Sequence, residues 1–167
     1  MTFEDAGTLL DYHYWARDRM WSALEGLSAE NYTRDLGNSF RSVRDTVVHI
    51  YAGEWVWYSR WIGHSPTDFP NPEDFPDLDA IRDPWSSQEQ KVRLFVGSLG
   101  DAGMARVIEY KTFKGDPTRS IFWQMLQHVV NHATFHRGQV TTMLRQMGMA
   151  APKSQDLITY YRERSVH

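Results

Sequence analysis

One long segment limits most strongly what this chain can fold into, because its apolar residues recur at the spacing of an α-helix. Between positions 122 and 147 they follow one another mostly at intervals of three or four, which places them in one stripe along a helix. These residues are Phe122, Met125, Leu126, Val129, Ala133, Val140, Met143, Leu144 and Met147. We therefore predict a long amphipathic helix from about Arg119 to Met147, ending at Gly148.

Two histidines fall inside this stripe. His132 and His136 are four residues apart, so on a helix they lie one turn apart on the same face. An imidazole that points into an apolar interior needs hydrogen-bond partners or a shared ligand. A divalent metal meets this need, because neutral imidazole is a favoured ligand for zinc, nickel, copper and iron. Two buried histidines held by ordinary hydrogen bonds fit the same spacing, so both interpretations stay open at this point.

Three more segments are predicted to be long helices. The first runs from about Phe3 to Gly26, and the second from about Phe40 to Gly63 with Ser39 as its N-cap. The third begins at Asp83-Pro84, an N-cap followed by proline at the first helical position, and ends near Gly97. Four long helices predict an all-α fold, a four-helix bundle that forms a single domain over residues 1–167.

The segments between these helices are predicted to be connections. Residues 31–38 show little periodicity, and five of the seven prolines lie between His64 and Pro84, which predicts a long loop or lid. A short hairpin or extended segment is expected from Val107 to Phe113, before the last long helix. A final short helix is expected after Pro152.

The composition excludes several kinds of site and partner. Because cysteine is absent, the chain has no disulfide, no thiolate metal ligand and no cysteine nucleophile. The 18 basic and 21 acidic residues give a net charge of −3, which does not favour nucleic acid. No apolar run reaches the roughly 18 residues of a membrane span, and the acidic N-terminus is unlike a signal peptide. We expect a cytoplasmic protein with a small-molecule substrate.

A metal in a helical bundle takes ligands from more than one helix, so a third ligand is expected outside the last long helix. His49 lies in the middle of the second predicted helix, between the apolar residues Val47 and Ile50. Ala52 and Gly53 follow one turn later, and such small residues leave room for a substrate or for a closely packed helix. Three histidines leave coordination positions open, as a catalytic metal requires.

The remaining histidines keep several roles open. His128 lies one turn before His132, so it can replace a ligand, hydrogen-bond to one, or simply pack. His13 is a further candidate near the interior, whereas His64 and His167 are expected to be solvated.

Three residues near the histidines are also of interest. Gln139 is expected either to bond a ligand histidine or a neighbouring helix, or to be solvated, and Gly138 suggests close backbone packing. Glu54 is a minor candidate for a base or a ligand, because it lies on a different part of the helix surface from His49.

No catalytic residue can be named. A metalloprotease is disfavoured, since Ala133 stands where the H-E-x-x-H motif needs glutamate.

Several stretches of the chain resemble the DinB family, the DinB/YfiT-like group of four-helix metal-binding proteins. They are Leu10-Asp-Tyr-His-Tyr-Trp15-Ala-Arg-Asp-Arg, Val43-Arg-Asp-Thr-Val-Val-His49-Ile with Trp57, Asn131-His132-Ala-Thr-Phe-His136-Arg-Gly-Gln139, and the ending Pro152 with Asp156-Leu-Ile-Thr-Tyr160-Tyr-Arg-Glu. The resemblance implies an up-down-down-up bundle, frequent homodimers, and a divalent ion, commonly nickel or zinc. Matched position by position, its ligands are His49, His132 and His136.

The resemblance also implies a class of chemistry. Some members of the family are thiol-dependent S-transferases or isomerases that use bacillithiol, mycothiol or glutathione, and many have no known reaction. The family label concerns damage-inducible expression, a stress response, and implies no DNA binding. Our leading hypothesis is a thiol S-transferase, in which a thiol at the three-histidine metal site attacks an electrophile. The alternatives are a metal-dependent hydrolase, and a non-enzymatic binder of small ligands or metal in which Trp55, Trp57 and Trp61 form an interface or cleft.

Overall fold

The computed structural model describes residues 1–165, which are mostly helical, as predicted. The expectation for His167 lies outside the described residues. In chain order the helices are α1 (Phe3–Leu24), α2 (Ala29–Thr33), α3 (Val43–Trp61), α4 (Leu78–Gly97), α5 (Gly100–Met104), α6 (Phe122–Gln146) and α7 (Leu157–Arg164). Pro72–Asp74 forms a short 3-10 helix, and the strands β1 (Val107–Lys111) and β2 (Pro117–Ile121) precede α6.

The four long helices pack against one another around a shared apolar interior. α3 packs on α6, α1 contacts both α6 and α4, and α4 also contacts α3. Their apolar stripes are fully buried at Met20, Val47, Trp61, Ile81, Trp85, Phe122, Leu126 and Val140. The order of helix directions, up-down-down-up, stays a prediction.

The second long helix begins three residues later than predicted. Its N-cap is Ser42 rather than Ser39, and the Ser42 hydroxyl accepts a hydrogen bond from the backbone N–H of Asp45. The buried face of the helix starts at Val43, directly after this cap. The first residues of the predicted helix, including Phe40, therefore form an irregular approach to it.

The third long helix begins before Asp83-Pro84, so this predicted start is wrong. Asp77 is the N-cap, its side chain accepts from the backbone N–H of Ala80, and Pro84 lies inside the helix. Proline in a helix interior is unfavourable, since it lacks the N–H that the helix would use. Ile81 and Trp85 flank it and are completely buried, and we attribute the continuation of the helix to their packing. The proline-rich loop is correspondingly shorter than predicted.

The expected hairpin is present before the last long helix. β1 and β2 pair antiparallel, from Val107 opposite Ile121 to Lys111 opposite Pro117. Because β2 continues directly into α6, that helix begins at Phe122 rather than near Arg119. The hydroxyl of Ser65 accepts a hydrogen bond from the backbone N–H of Lys111 at 2.9 Å, which ties the hairpin to the proline-rich loop.

A buried carboxylate joins three of the long helices. Glu54 on α3 is 1% exposed and accepts hydrogen bonds from the hydroxyl of Tyr14 and the indole N–H of Trp85, each at 3.1 Å. The Nε2 atom of His13 lies 2.9 Å from the same carboxylate. Burial lowers the pKa of His13 even beside this carboxylate. The carboxylate of Glu54 is thus paired within the core, where an unpaired charge would be costly, while Nδ1 of His13 has no partner among residues 1–165.

Among residues 1–165, no helix combines the length and the apolar content that crossing a membrane requires.

We predict that Glu54→Ala lowers the free energy of unfolding by about 3–5 kcal/mol, because three buried donors lose a shared acceptor. Urea denaturation followed by circular dichroism measures the change. Glu163→Ala is the control, since it removes an exposed carboxylate paired with Arg19 and should change stability by less than about 1 kcal/mol. Equal losses in the two variants would contradict the structural role of Glu54.

Candidate metal centre

Three histidine rings from two helices meet at one point where α3 packs on α6. His49 comes from α3, and His132 and His136 come from α6. One ring nitrogen of each lies within 4.8 Å of the others, and the Nε2 atoms of His49 and His132 are 2.9 Å apart. The ring centroids of His132 and His136 are 4.4 Å apart. The structure thus brings together all three histidines singled out from the sequence, in a group that can hold a metal ion.

The close approach of the rings depends on a glycine in α3. Gly53 lies one turn after His49, and a Cβ atom at this position would lie 2.8 Å from Cε1 and 3.0 Å from Nδ1 of His132. Any larger residue would have to displace the ring. The small residue therefore makes room for His132, which agrees with the close helix approach expected from the sequence.

Two further side chains hold the histidine rings in place. The Oε1 atom of Gln139 lies 2.7 Å from Nδ1 of His136, so the ring can donate this hydrogen bond and keep Nε2 free for a ligand. Of the alternatives left open for Gln139, this contact supports a hydrogen bond to a candidate ligand histidine. Phe40 stacks on His49 with ring centroids 4.0 Å apart and also contacts His136. No sequence pattern indicates the role of Phe40, because this role depends on how the chain approaches α3.

The surroundings keep two of the rings uncharged. Burial, followed by charge repulsion from neighbouring rings, lowers the pKa of His49 to about 4 and that of His132 to about 3. Both values lie well below neutral pH, so the rings are neutral there. A neutral imidazole has the lone pair that binds a metal ion.

The other candidate residues lie outside this group. The ring of His128 is 5.8 Å from that of His132, centroid to centroid, and 5.1 Å from that of Trp57. His13 and Glu54 pair with each other in the core. Among residues 1–165, His49, His132 and His136 form the one group of three side chains close enough to share an ion.

The expectation for Gly138 is wrong, and so is the part of the non-enzymatic alternative that concerns Trp61. No atom outside the local helix backbone lies within 4 Å of a Cβ placed on Gly138, so this glycine does not mark close packing. It is two residues, or about 200°, around α6 from His136 and faces outward. Trp61 cannot take part in an interface or cleft, because it is 1% exposed and stacks on Phe95 in the core.

Two cavities flank His49. One, of about 410 Å³, is lined by residues that include Phe40, Val48, His49, Phe69, Pro70 and Pro72. The other, of about 360 Å³, is lined by residues that include His49, Trp57, Arg60, Phe69, His128 and His132. The proline-rich loop contributes Phe69 to both walls, as expected for a loop that helps to form a pocket. A larger cavity, about 710 Å³, lies against the hairpin, and no histidine among residues 1–165 lines it.

Comparison with known proteins identifies the family to which the chain belongs. The sequence model of the DinB family matches residues 1–163, a range that contains the three histidines and both helices that carry them. Protein DinB of Bacillus subtilis (strain 168) is 23% identical over 150 residues, which cover 86% of this chain and 86% of that protein. The chain belongs to the DinB family.

Proposed function

We propose that this protein is a metal-dependent enzyme of the thiol S-transferase type, with His49, His132 and His136 as ligands of a divalent ion. The observation that carries the proposal is the convergence of three imidazoles from two helices beside two cavities. Nickel and zinc are the ions we favour, and a low-molecular-weight thiol is the proposed co-substrate. The bound ion would supply Lewis-acid chemistry, lowering the pKa of a coordinated thiol so that it is a thiolate near neutral pH.

The residues around the histidines suit this role. Gln139 and Phe40 hold the rings of His136 and His49, so the ligand atoms are oriented before an ion binds. The three side chains leave further coordination positions open, as a catalytic site requires.

Two cavities on either side of His49 match a reaction that takes two substrates. One can hold the thiol and the other the electrophile, with Phe69 in the wall of both. In the proposed transfer, the thiol sulfur bonds to the electrophilic carbon, the leaving group departs with its bonding electrons, and the thiol proton goes to solvent. The proposal includes a homodimer in the cytoplasm, as the family resemblance implies.

We predict that the protein loaded with zinc or nickel conjugates a thiol such as bacillithiol or glutathione to monochlorobimane. His49→Ala should lower the rate at least about 100-fold, because it removes one of three ligands. His64→Ala is the matched control, since His64 is exposed and lies outside the group, and it should keep full activity. Fluorescence of the bimane product measures the rate.

A protein that binds its metal but conjugates none of several thiols and electrophiles would contradict the transferase. Hydrolysis of an ester or amide by the same metal-loaded protein would then support a hydrolase. Absence of both activities would leave a metal-binding protein without catalysis.

We predict that Gly53→Ala weakens metal binding about 10–100-fold, because the new Cβ displaces the His132 ring. Competition with a chromophoric chelator measures the affinity. Gly138→Ala is the control: it replaces a glycine of α6 that has open space around it, so it should leave affinity unchanged and stabilise the helix by about 1 kcal/mol. Equal affinities in the two variants would show that the approach of His132 to α3 does not matter for the site.

A further inference from the structure

Arg60, near the end of α3, is a buried cation with no acidic partner. Its side chain is 5% exposed, it forms no ion pair with a carboxylate of residues 1–165, and its Nε has no hydrogen-bond partner among them. Burial lowers the pKa of this guanidinium. Arg17 is buried to a similar degree but pairs with Glu89 at 2.7 Å. A buried charge without a partner is costly, so Arg60 calls for an explanation.

Aromatic rings compensate only part of the charge of Arg60. The guanidinium carbon of Arg60 lies 4.7 Å from the ring centroid of Trp57, 4.9 Å from that of Tyr110 and 5.2 Å from that of Phe113. Cation–π contacts of this kind stabilise the charge through the faces of the rings. They accept no hydrogen bonds from the in-plane N–H groups, which remain available for an acceptor with the planar geometry of a carboxylate.

Arg60 also lines the cavity of about 360 Å³ beside the candidate metal centre. His49 and His132 line the same cavity, which is large enough for a small molecule. The unpaired Arg60 and two of the three clustered histidines therefore line one cavity. A substrate placed there can contact both.

We propose that Arg60 binds a carboxylate of the substrate, in the cavity that it shares with His49 and His132. The substrate class is a small, largely apolar or aromatic compound with one carboxylate, bound by the guanidinium fork and packed against Trp57 and Tyr110. Arg60 is then a residue that determines specificity and positions the substrate beside the histidines. The assignment to a substrate rests on the proposed function, whereas the anion site itself requires no metal.

A carboxylate fits this cavity better than a phosphate does. Among the described residues, no lysine and no second arginine line the cavity, so Arg60 is the one permanently charged cationic side chain that a doubly charged phosphate would meet there. Burial, together with the charge of Arg60, lowers the pKa of His128, which also lines the cavity, and so favours the neutral form of this ring. A guanidinium forms two parallel hydrogen bonds with a single carboxylate, which balances its charge.

The first experiment measures binding of benzoate, and of its neutral analogue benzamide, by calorimetry. Wild-type protein should bind benzoate at least tenfold more tightly than benzamide, and Arg60→Gln should lose at least tenfold in benzoate affinity. The benzoate affinity of Arg60→Lys should lie between those of the wild type and Arg60→Gln, because lysine keeps the charge but not the planar fork of the guanidinium. Arg93→Gln is the control, since Arg93 is paired with Asp11 and Glu89, and it should bind benzoate like the wild type.

The titrations are repeated after the metal is removed with a chelator, so that benzoate bound to an ion is distinguished from benzoate bound to Arg60. Binding that depends on Arg60 and survives metal removal supports the site, whether or not the protein conjugates thiols. Equal affinity in wild type and Arg60→Gln, equal affinity for benzoate and benzamide, or no benzoate binding at millimolar concentration would each overturn the proposal. Thermal unfolding of Arg60→Gln and Arg60→Lys checks that these variants are folded.

Kinetics then identify which substrate carries the carboxylate. Two pairs of substrates are compared, each with one member that carries a carboxylate and one that is neutral. The thiols are 3-mercaptopropionate (charged) and 2-mercaptoethanol (neutral). The electrophiles are 4-chloro-3-nitrobenzoate (charged) and 4-chloro-3-nitrobenzamide (neutral). In Arg60→Gln, KM should rise at least tenfold for the charged member of one pair, with kcat changed much less. The affected pair is the source of the carboxylate. An equal rise for charged and neutral members would show a merely structural role and overturn the proposal.

Discussion

The close packing of α3 on α6 is the constraint on which the candidate site depends. It places the Nε2 atom of His49 2.9 Å from that of His132, and it is possible because Gly53 has no side chain where the His132 ring lies. The four-residue spacing on α6 then brings His136 to the same point. The remaining contacts adjust this arrangement: Gln139 holds one ring from α6, and Phe40 covers another from the approach to α3.

α3 serves the fold and the site through different faces. His49 and Gly53 face α6, Glu54 binds side chains of α1 and α4, and Arg60 lines the cavity of about 360 Å³ beside the candidate metal centre. The buried bonds of Glu54 fix the helix relative to two neighbours, so the position of His49 depends on polar contacts elsewhere in the core. One helix, α3, thus provides a proposed metal ligand, the space beside it and the proposed contact with the substrate.

The histidines could be predicted from the sequence because their signal is local. His132 and His136 share a helix face through their spacing, and His49 lies in an apolar stripe of its own. The contacts of Phe40 and Arg60 could not be predicted, because they involve residues distant in sequence that meet only after α3, the proline-rich loop and the hairpin have packed. Pro84 illustrates the same limit: its local preference favours a helix start, but burial of Ile81 and Trp85 outweighs it. Gly138 has no packing partner, and the structure offers no account of why glycine stands there.

Metal content of the untagged protein tests the central claim most directly. Elemental analysis after incubation with zinc or nickel and removal of free ions should find about one ion per chain in the wild type. The variant with His49→Ala, His132→Ala and His136→Ala should contain none while keeping its helical circular dichroism. Absence of metal from the wild type under these conditions, or an equal content in the variant, would contradict the account and leave a helical protein with three clustered histidines.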